Sequence, residues 1–516
     1  MAVTLHKQEN CGFVMLNNPP VNAINQKMRE DLIDAVTWAE SEGLERVILS
    51  GMGRSFAAGA DTKEFDQPAI SPHLPDVVNR IETSTVPWIA AIHGTALGGG
   101  GELALGCRYR IARADATIGF PEVILGLVPG AGATQRLPRL VGLAEALKLI
   151  PTGKTISGKA AKAIGLVNAI DDDPVAAAKL IDQKILSEAV PLSLMKAGTD
   201  KTVNYDTARQ IAIRRMRGQE APLTAISLLE TAQTATFDDG MQKERNAFLA
   251  LRASSQARAL RHIFFAERAA KKPPKAIETQ KPTLKPLNHV IVIGGGTMGS
   301  GIAYAFLNAN IRVTILESDD AGMQRANTAI DTIISASLAS GHINPQAATD
   351  RRNLLKVMMI QPDSDTGKWR NDDLANVDLL IEAVFEDLAI KKEILQAIEP
   401  ALDPNAIIAT NTSYLDVNKL AACLDNPSRF VGLHFFAPAH IMKLLEIVKG
   451  SETSPVALAM GYAVAKSLGK MPVVAGVCDG FIGNRILAAL REAADVTLMD
   501  GSTPAEIDRA MVAFGY

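Results

Sequence analysis

Cysteine is scarce. Cys11, Cys107, Cys423 and Cys478 are the four in 516 residues, far apart and without a CxxC pair, which argues against both a disulfide scaffold and a structural zinc site. Net charge is nearly absent as well: 53 basic and 56 acidic side chains leave a formal charge of −3, so no polyelectrolyte field draws the chain to nucleic acid or to an anionic membrane. No apolar run reaches the ~18 residues of a spanning helix, and the opening MAVTLHKQENCGFVML lacks a basic stretch followed by an uninterrupted apolar one, which argues against membrane insertion and against a secretory leader. Aromatic residues are few, yet 47% of the chain is apolar, ample for several cores, and at roughly 150 residues per domain the length predicts three or four domains. Small-molecule chemistry among free thiols is the class that remains.

From residue 1 to about 190, short β-branched runs (Gly12 to Leu16, Arg46 to Ser50, Trp88 to Ile92, Arg110 to Ala112) alternate with helical patterns, which predicts an α/β layer structure. Between 191 and 270 the strand signals stop and Ala, Leu, Arg and Glu dominate, a helical connector in which Leu251, Leu260 and Phe264 to Phe265 would line one face. KKPPKAIETQKPTLKPLN (271 to 288) concentrates Pro and Lys and predicts an extended, semi-rigid linker ending that segment near 287. Strand, tight turn, helix and second strand then follow in HVIVIGGGTMGSGIAYAFLNANIRVTILES, the opening of a doubly wound nucleotide-binding fold over 288 to 475. From 476 to 516 the pattern is helical, with Thr503 as a cap and Pro504 at the first position of the last helix. Two helices are too few for their own core, which predicts that the natural chain continues or packs them on its other domains.

Chemistry concentrates in two places. In the first, GRSFAAGADTKEF (53 to 65) ends a strand at Gly59-Ala60 where backbone N–H groups are left free, and HGTALGGGGELALG brings Gly98 to Gly101 ahead of a helix expected to start near Glu102. Two such loops can clamp one carbonyl oxygen. A glycine run alone is equally a packed turn, but Glu122 in GFPEVILGLVPGAGATQRLPRLVG (119 to 142) adds a carboxylate in an apolar frame, where burial raises its pKa and suits proton transfer. NNPPVNAIN (17 to 25), FAAGADTKEF, ALGGGGELA and PEVILGLVPGAGATQRL resemble the enoyl-CoA hydratase (crotonase) family over residues 1 to about 190. The resemblance implies a crotonase-type α/β domain (a ββα spiral), an oxyanion hole made by the N–H groups of Ala60 and Gly99, and catalytic carboxylates Glu102 and Glu122, with acid and base roles left open. Gly101 stands where that family often has Cys, and Thr62 where it often has Ile. Lys63 is a weak candidate for the phosphates of coenzyme A.

In the second, Gly294, Gly296 and Gly299 fit GxGxxG between a strand and a helix expected near Met298, and Glu317 ends the next strand 23 residues after Gly294. That placement suits an adenosine ribose and repels a 2′-phosphate, favouring NAD over NADP. Downstream, ATNTSYL carries Ser413, and RFVGLHFFAPAHIMKLLEIVKG carries His434 and Glu446 twelve residues apart. A neutral imidazole is the natural acceptor of a hydroxyl proton. VIGGGTMGSGIA, IEAVFEDLAIKKEI, ATNTS, GLHFFAPAHIMKLLEIV and DGFIGNR are together similar to the (S)-3-hydroxyacyl-CoA dehydrogenase family from 288 to the terminus. This resemblance implies an NAD-binding Rossmann domain followed by the start of an all-α domain. It gives His434 as proton acceptor, Glu446 as its partner, Ser413 and Asn484 on the reacting oxygen and ring, and Thr297, Met298, Glu386 and Lys391 beside the glycines as cofactor contacts.

Hydratase, helical connector, dehydrogenase is the layout of the multifunctional enzymes of fatty-acid β-oxidation, which the whole chain resembles, with an apparently shortened C-terminus. Implied are acyl-CoA thioester substrates, no metal, no nucleic acid, a monomer or an association with a thiolase, and a cytoplasmic location, peroxisomal in a eukaryote. Hydratase activity is expected to be the more secure of the two in these 516 residues. The rival expectations are an enoyl-CoA isomerase joined to the dehydrogenase, and a non-catalytic scaffold that binds acyl-CoA and NAD.

Overall fold

The computed structural model of the chain describes every residue except 1, 66, 199–202, 281 and 360–371; Lys281, within the segment read as a Pro/Lys-rich linker, therefore lies outside the described residues. The chain divides into two compact units, 1–264 and 265–514.

In the first unit the strands Val3–Gln8, Cys11–Leu16, Arg46–Gly51, Trp88–Ile92, Tyr109–Ala112 and Ala169–Ile170 form a sheet in that order, antiparallel in its first pair and parallel thereafter. Alternate side chains part to opposite faces: Val47, Leu49, Trp88 and Ala90 enter the main core, while Ile48 and Ile89 enter a smaller cluster behind the sheet. Burial on both faces is why these strands are continuous apolar runs. A second sheet of Thr95–Leu97, Thr117–Gly119 and Thr155–Ser157 carries the glycine-rich segment.

The helices after residue 190 belong to this same core. Tyr205–Arg215, Ala221–Thr234 and Phe237–Ala253 follow one another, and Ala225, Leu228, Leu229, Leu251 and Ala257 are buried with the main cluster, so the segment read as a connector is a wall of the first unit. The single face expected through Leu251 and Phe265 is broken at Ser254, whose Oγ accepts from the Ala257 N–H at 3.0 Å. Leu251 is buried there while Phe265 is 42% exposed.

In the second unit eight strands run in the order Leu355–Met359, Arg312–Glu317, His289–Ile293, Leu379–Glu382, Ile407–Thr410, Phe430–Phe435, Leu444–Lys449, Met471–Gly476. All neighbours are parallel except Phe430–Phe435 with Leu444–Lys449. The strand order reverses direction at His289–Ile293, the doubly wound arrangement whose ligands sit beyond the carboxyl ends of the strands at that switch. Val290 and Val292 pack into one core and Ile291 and Ile293 into the other. Within the linker expected to be extended, Lys275–Gln280 is helical, since Ala, Ile, Glu and Gln there are compatible with a short turn once Pro273 and Pro274 precede it. The last two helices, Gly483–Met499 and Pro504–Phe514, bury none of their residues, and Thr503 caps the second as expected, its Oγ1 accepting from the Glu506 N–H at 3.4 Å while its own N–H donates to Glu506 Oε2 at 2.8 Å. Among the described residues no helix is long and apolar enough to cross a membrane, and no group of metal-ligating side chains converges.

Candidate active sites

The glycine segment folds differently from the simplest reading of it. Its helix is Gly99–Gly106, starting three residues before Glu102, with Gly98 as its cap at φ 51° and ψ −122°. A Cβ on Gly100 would lie 2.2 Å from the Ala57 carbonyl oxygen, so only glycine lets the first turn lie against that backbone. Ala60 pairs with Ile24 in a parallel bridge whose hydrogen bonds use its neighbours, Ile24 N–H to Gly59 O and Asp61 N–H to Ile24 O. The Ala60 N–H therefore faces the other way. Neither it nor the Gly99 N–H has a hydrogen-bond acceptor among the described residues. A Cβ on Gly99 would sit 3.3 Å from Ala60 N, so the two donors are close neighbours, able to grip one oxygen that acquires charge.

Both glutamates reach this corner. Glu102 is 3% exposed, and its Oε1 accepts from the Ala131 and Ala133 N–H groups at 2.7 and 3.2 Å. Burial raises its pKa to about 6, against those two N–H groups and the Arg136 charge, which lower it. Glu122 lies on the 3-10 turn Pro121–Leu125, and a Cβ on Gly98 would be 3.0 Å from its Oε1, beside the residue that supplies one free N–H. Its Oε2 is buried and has no hydrogen-bond partner among the described residues. Burial first, then the charges of Glu102 and Glu244, carry its pKa well above the usual carboxylate range. Two carboxyls in one pocket are thus pushed apart in proton affinity, the condition for one to give a proton while the other takes one.

Gly101, where Cys is common in the resembled family, faces Phe120: a Cβ there would come within 2.8 Å of the ring, so the aromatic fills the volume. Lys63 is exposed and its N–H caps onto Asp61 Oδ1. Glu244 is a site residue that the sequence reading missed. It is 1% exposed and its pKa is raised to about 8, by burial and then by the Glu102 charge; an acidic residue inside a helical stretch reads as solvated surface, and nothing in its spacing says otherwise.

In the second unit, the helix Thr297–Asn308 begins directly after the first strand with Gly296 as its cap. Gly294 has φ +90°, and a Cβ on Gly299 would fall 1.8 Å from Gly294 O, whereas one on Gly296 would meet nothing within 4 Å. The turn is thus closed on the protein side and open on the outer side, where Gly296 and Thr297 are exposed and the helix presents its first N–H groups to an anion. Glu317 Oε1 accepts from the Gly295 N–H at 2.5 Å, so the acidic side chain stands at the same loop. These residues fit a dinucleotide, with Met298 as the second residue of the helix.

His434 and Glu446 face each other directly across the antiparallel pair. His434 Nδ1 and Glu446 Oε2 are 2.6 Å apart, with the residues 3% and 0% exposed. The carboxylate accepts from Nδ1–H, which leaves Nε2 as the acceptor nitrogen. Phe436 and Phe481 flank the imidazole at centroid distances of 4.5 and 5.6 Å. The other carboxylate oxygen, Glu446 Oε1, accepts from Ile482 N–H (3.1 Å) and Gly483 N–H (2.7 Å), the start of the helix on which Asn484 is the second residue. One carboxylate fixes both the imidazole and the element carrying Asn484.

Ser413 is positioned through Glu386, whose Oε1 accepts from Thr412 Oγ1, Ser413 N–H and Tyr414 N–H at 2.5, 2.7 and 3.1 Å. Lys391 lies on the helix Leu388–Ile398. It is 1% exposed, and its Nζ lies 2.7 Å from Glu382 Oε1, 3.2 Å from Val384 O and 3.3 Å from Glu386 Oε2. A buried ammonium must be paired, and these three protein oxygens pair it. Glu382, fully buried at the end of the fourth strand in spatial order, was also missed; its other oxygen accepts from Thr410 Oγ1 at 2.7 Å.

A unit with two free N–H groups beside two acids of raised proton affinity, followed by a doubly wound unit with an open glycine turn and a carboxylate-paired histidine, defines an acyl-thioester lyase fold joined to a nicotinamide-dependent dehydrogenase fold. Comparison with known proteins agrees. Residues 6–243 match the family model "Enoyl-CoA hydratase/isomerase" and residues 289–478 the model "3-hydroxyacyl-CoA dehydrogenase, NAD binding domain". The peroxisomal bifunctional enzyme of Cavia porcellus is 37% identical over 530 residues, covering 100% of this chain and 71% of that one. The enzyme of the same name in Homo sapiens is 36% identical, covering 98% and 69%. The peroxisomal fatty acid beta-oxidation multifunctional protein of Oryza sativa subsp. japonica is 34% identical, covering 98% and 71%. The chain belongs to the family of bifunctional and multifunctional fatty-acid β-oxidation enzymes.

Proposed function

We propose that the first unit adds water to a trans-2-enoyl-CoA to give the (S)-3-hydroxyacyl-CoA and that the second oxidises this product to the 3-ketoacyl-CoA with NAD. The observation that carries the reading is the pairing of Glu102 and Glu122 beside the unengaged N–H groups of Ala60 and Gly99. When water attacks C3, negative charge gathers on the thioester oxygen, and the two N–H groups stabilise it. Glu102, ionised above about pH 6, takes the proton of the attacking water. Glu122, whose proton is held by burial and by the neighbouring carboxylate, delivers it to C2. An isomerase needs only one such acid to move a proton between C2 and C4, and the second carboxylate favours hydration.

In the second unit, Gly294, Gly296, Gly299, Thr297, Met298 and Glu317 would hold NAD, which supplies the hydride acceptor when bound. His434 Nε2 takes the proton of the substrate hydroxyl, and Glu446 stabilises the imidazolium that results. Ser413 and Asn484 orient the reacting oxygen, and the Glu386 carboxylate, paired with the buried Lys391, holds the Ser413 turn. Linkage of the two units raises the local concentration of the shared intermediate. A thiolase that consumes the 3-ketoacyl product is the partner this chemistry calls for, and the compartment of the reading is cytoplasmic, or peroxisomal in a eukaryote.

One cuvette tests it. With a trans-2-enoyl-CoA alone, the enoyl chromophore is expected to decline to the hydration equilibrium; NAD then produces NADH. Decline without NADH limits the chain to hydration, and no change in either signal removes the enzyme reading. In the same assay Glu317→Ala is expected to raise the KM for NAD about tenfold and to narrow the preference over NADP, as loss of one charged hydrogen bond to the ribose requires. An unchanged KM would remove Glu317 from the cofactor site.

A further inference from the structure

Four successive N–H groups of the 131–134 segment go alternately to two different carboxylates. Ala131 and Ala133 donate to Glu102 Oε1. Gly132 donates to Glu244 Oε1 at 2.6 Å, and Thr134 to Glu244 Oε2 at 2.9 Å, with Thr134 Oγ1 donating to the same oxygen at 2.6 Å. Glu244 belongs to the helix Phe237–Ala253, well beyond the strand-bearing part of the unit. That helix is applied closely to the segment it serves: a Cβ on Gly130 would meet the Phe248 ring at 2.7 Å, and one on Gly240 would meet Gln135 Oε1 at 2.1 Å.

We propose that Glu244 is a positioning residue for the hydration reaction: by holding the even-numbered amides of the 131–134 segment it turns the odd-numbered ones onto Glu102, and its carboxyl stands within electrostatic reach of Glu122. The inference rests on the hydratase reading above. It makes the helical segment after residue 190 part of the acid–base apparatus rather than a spacer.

The charged groups around Glu244 are few. Glu102 faces it from the Gly99–Gly106 helix, Glu122 from the 3-10 turn, Arg136 from the helix Ala133–Val141, and Arg245 from its own helix. Arg136 is committed to Glu82, at 2.7 Å with both residues buried, and Arg245 is engaged electrostatically by Asp76 before Glu244. Among the described residues no cation is thus dedicated to Glu244, and its charge, once formed, is felt by Glu122. Ionised Glu244 makes Glu122 hold its proton more tightly, which extends hydration toward higher pH. Neutralising position 244 should therefore move the alkaline limb of the rate profile toward lower pH.

The test uses the full chain and follows hydration across pH. Glu244→Gln is expected to lower kcat about tenfold with KM for the enoyl-CoA unchanged, because one of the two amides loses its acceptor, and to move the alkaline limb down by about half a pH unit or more. Glu244→Asp keeps the charge but shortens the reach, so kcat falls while the limb stays. A Glu244→Gln profile that superimposes on the wild type, or that loses rate with the limb unmoved, overturns the proposal, as does an Asp variant whose limb moves like that of Gln. Failure of the two ideas is distinguishable: a wild-type chain that does not hydrate refutes the hydratase reading, and one that hydrates with a limb indifferent to position 244 refutes this inference alone.

Discussion

Glu122→Gln is expected to lower the rate of enoyl-CoA hydration by about 10³-fold with little change in KM, because the substitution removes a proton delivered in the transition state and leaves the thioester grip intact. The side chain keeps its shape in Gln, so the buried pocket beside Gly98 is not emptied. The pH dependence carries the same signature with a definite sign. Glu102 must be ionised, so the wild-type rate falls as pH drops through about 6, where burial has placed its pKa. Glu122 must be protonated, so the rate also falls on the alkaline side, at a pH well above the usual carboxylate range. Loss of the chromophore under saturating enoyl-CoA, measured across pH, checks both limbs. If Glu122→Gln stays within tenfold of the wild type with both limbs in place, Glu122 is not the acid.

His434→Gln should cost about 10³-fold or more in NADH formation from a 3-hydroxyacyl-CoA while leaving hydration untouched. In the proposed oxidation the imidazole, in a buried, aromatic-walled position, is the proton acceptor, and Gln supplies no base there. Glu446→Gln should be less severe for the proton transfer itself, but it also loosens the Ile482 and Gly483 N–H groups. Equal NADH formation by His434→Gln and wild type would remove the histidine from the mechanism.

Where glycine spacing and charge in an apolar frame leave a local signature, the sequence sufficed. The glycine turn leads from strand into helix as its spacing requires, with Gly299 in the first turn of the helix, and Glu102, His434 and Glu446 come to buried positions while Glu122 turns a buried Oε2 inward. What stayed illegible depends on partners distant in sequence. Even at a separation of nine residues a pairing can stay hidden: Lys391 and Glu386 look alike from sequence, as surface charges or cofactor contacts, until Glu382 at the end of the preceding strand is laid against the lysine. Glu244 resembles any helical glutamate until the 131–134 amides are laid against it. The early start of the Gly99–Gly106 helix reflects close contact with the Ala57 backbone, a tertiary reward that outweighs the poor helix propensity of three glycines. The edge strand Val3–Gln8 went unnoticed because all but its first residue are exposed, so it has no apolar run to betray it.

The facing of His434 and Glu446 across antiparallel strands has a consequence for how such chains can diverge. Their twelve-residue separation is the sum of two strand segments and the bend between Phe436 and Lys443, and side chains along a strand alternate faces. A one-residue deletion inside either strand would send one partner to the opposite side of the sheet, leaving a buried histidine or a buried carboxylate alone. Length drift in this stretch is therefore confined to the bend, and descendants of this chain should vary in that loop while keeping the strands on either side in step.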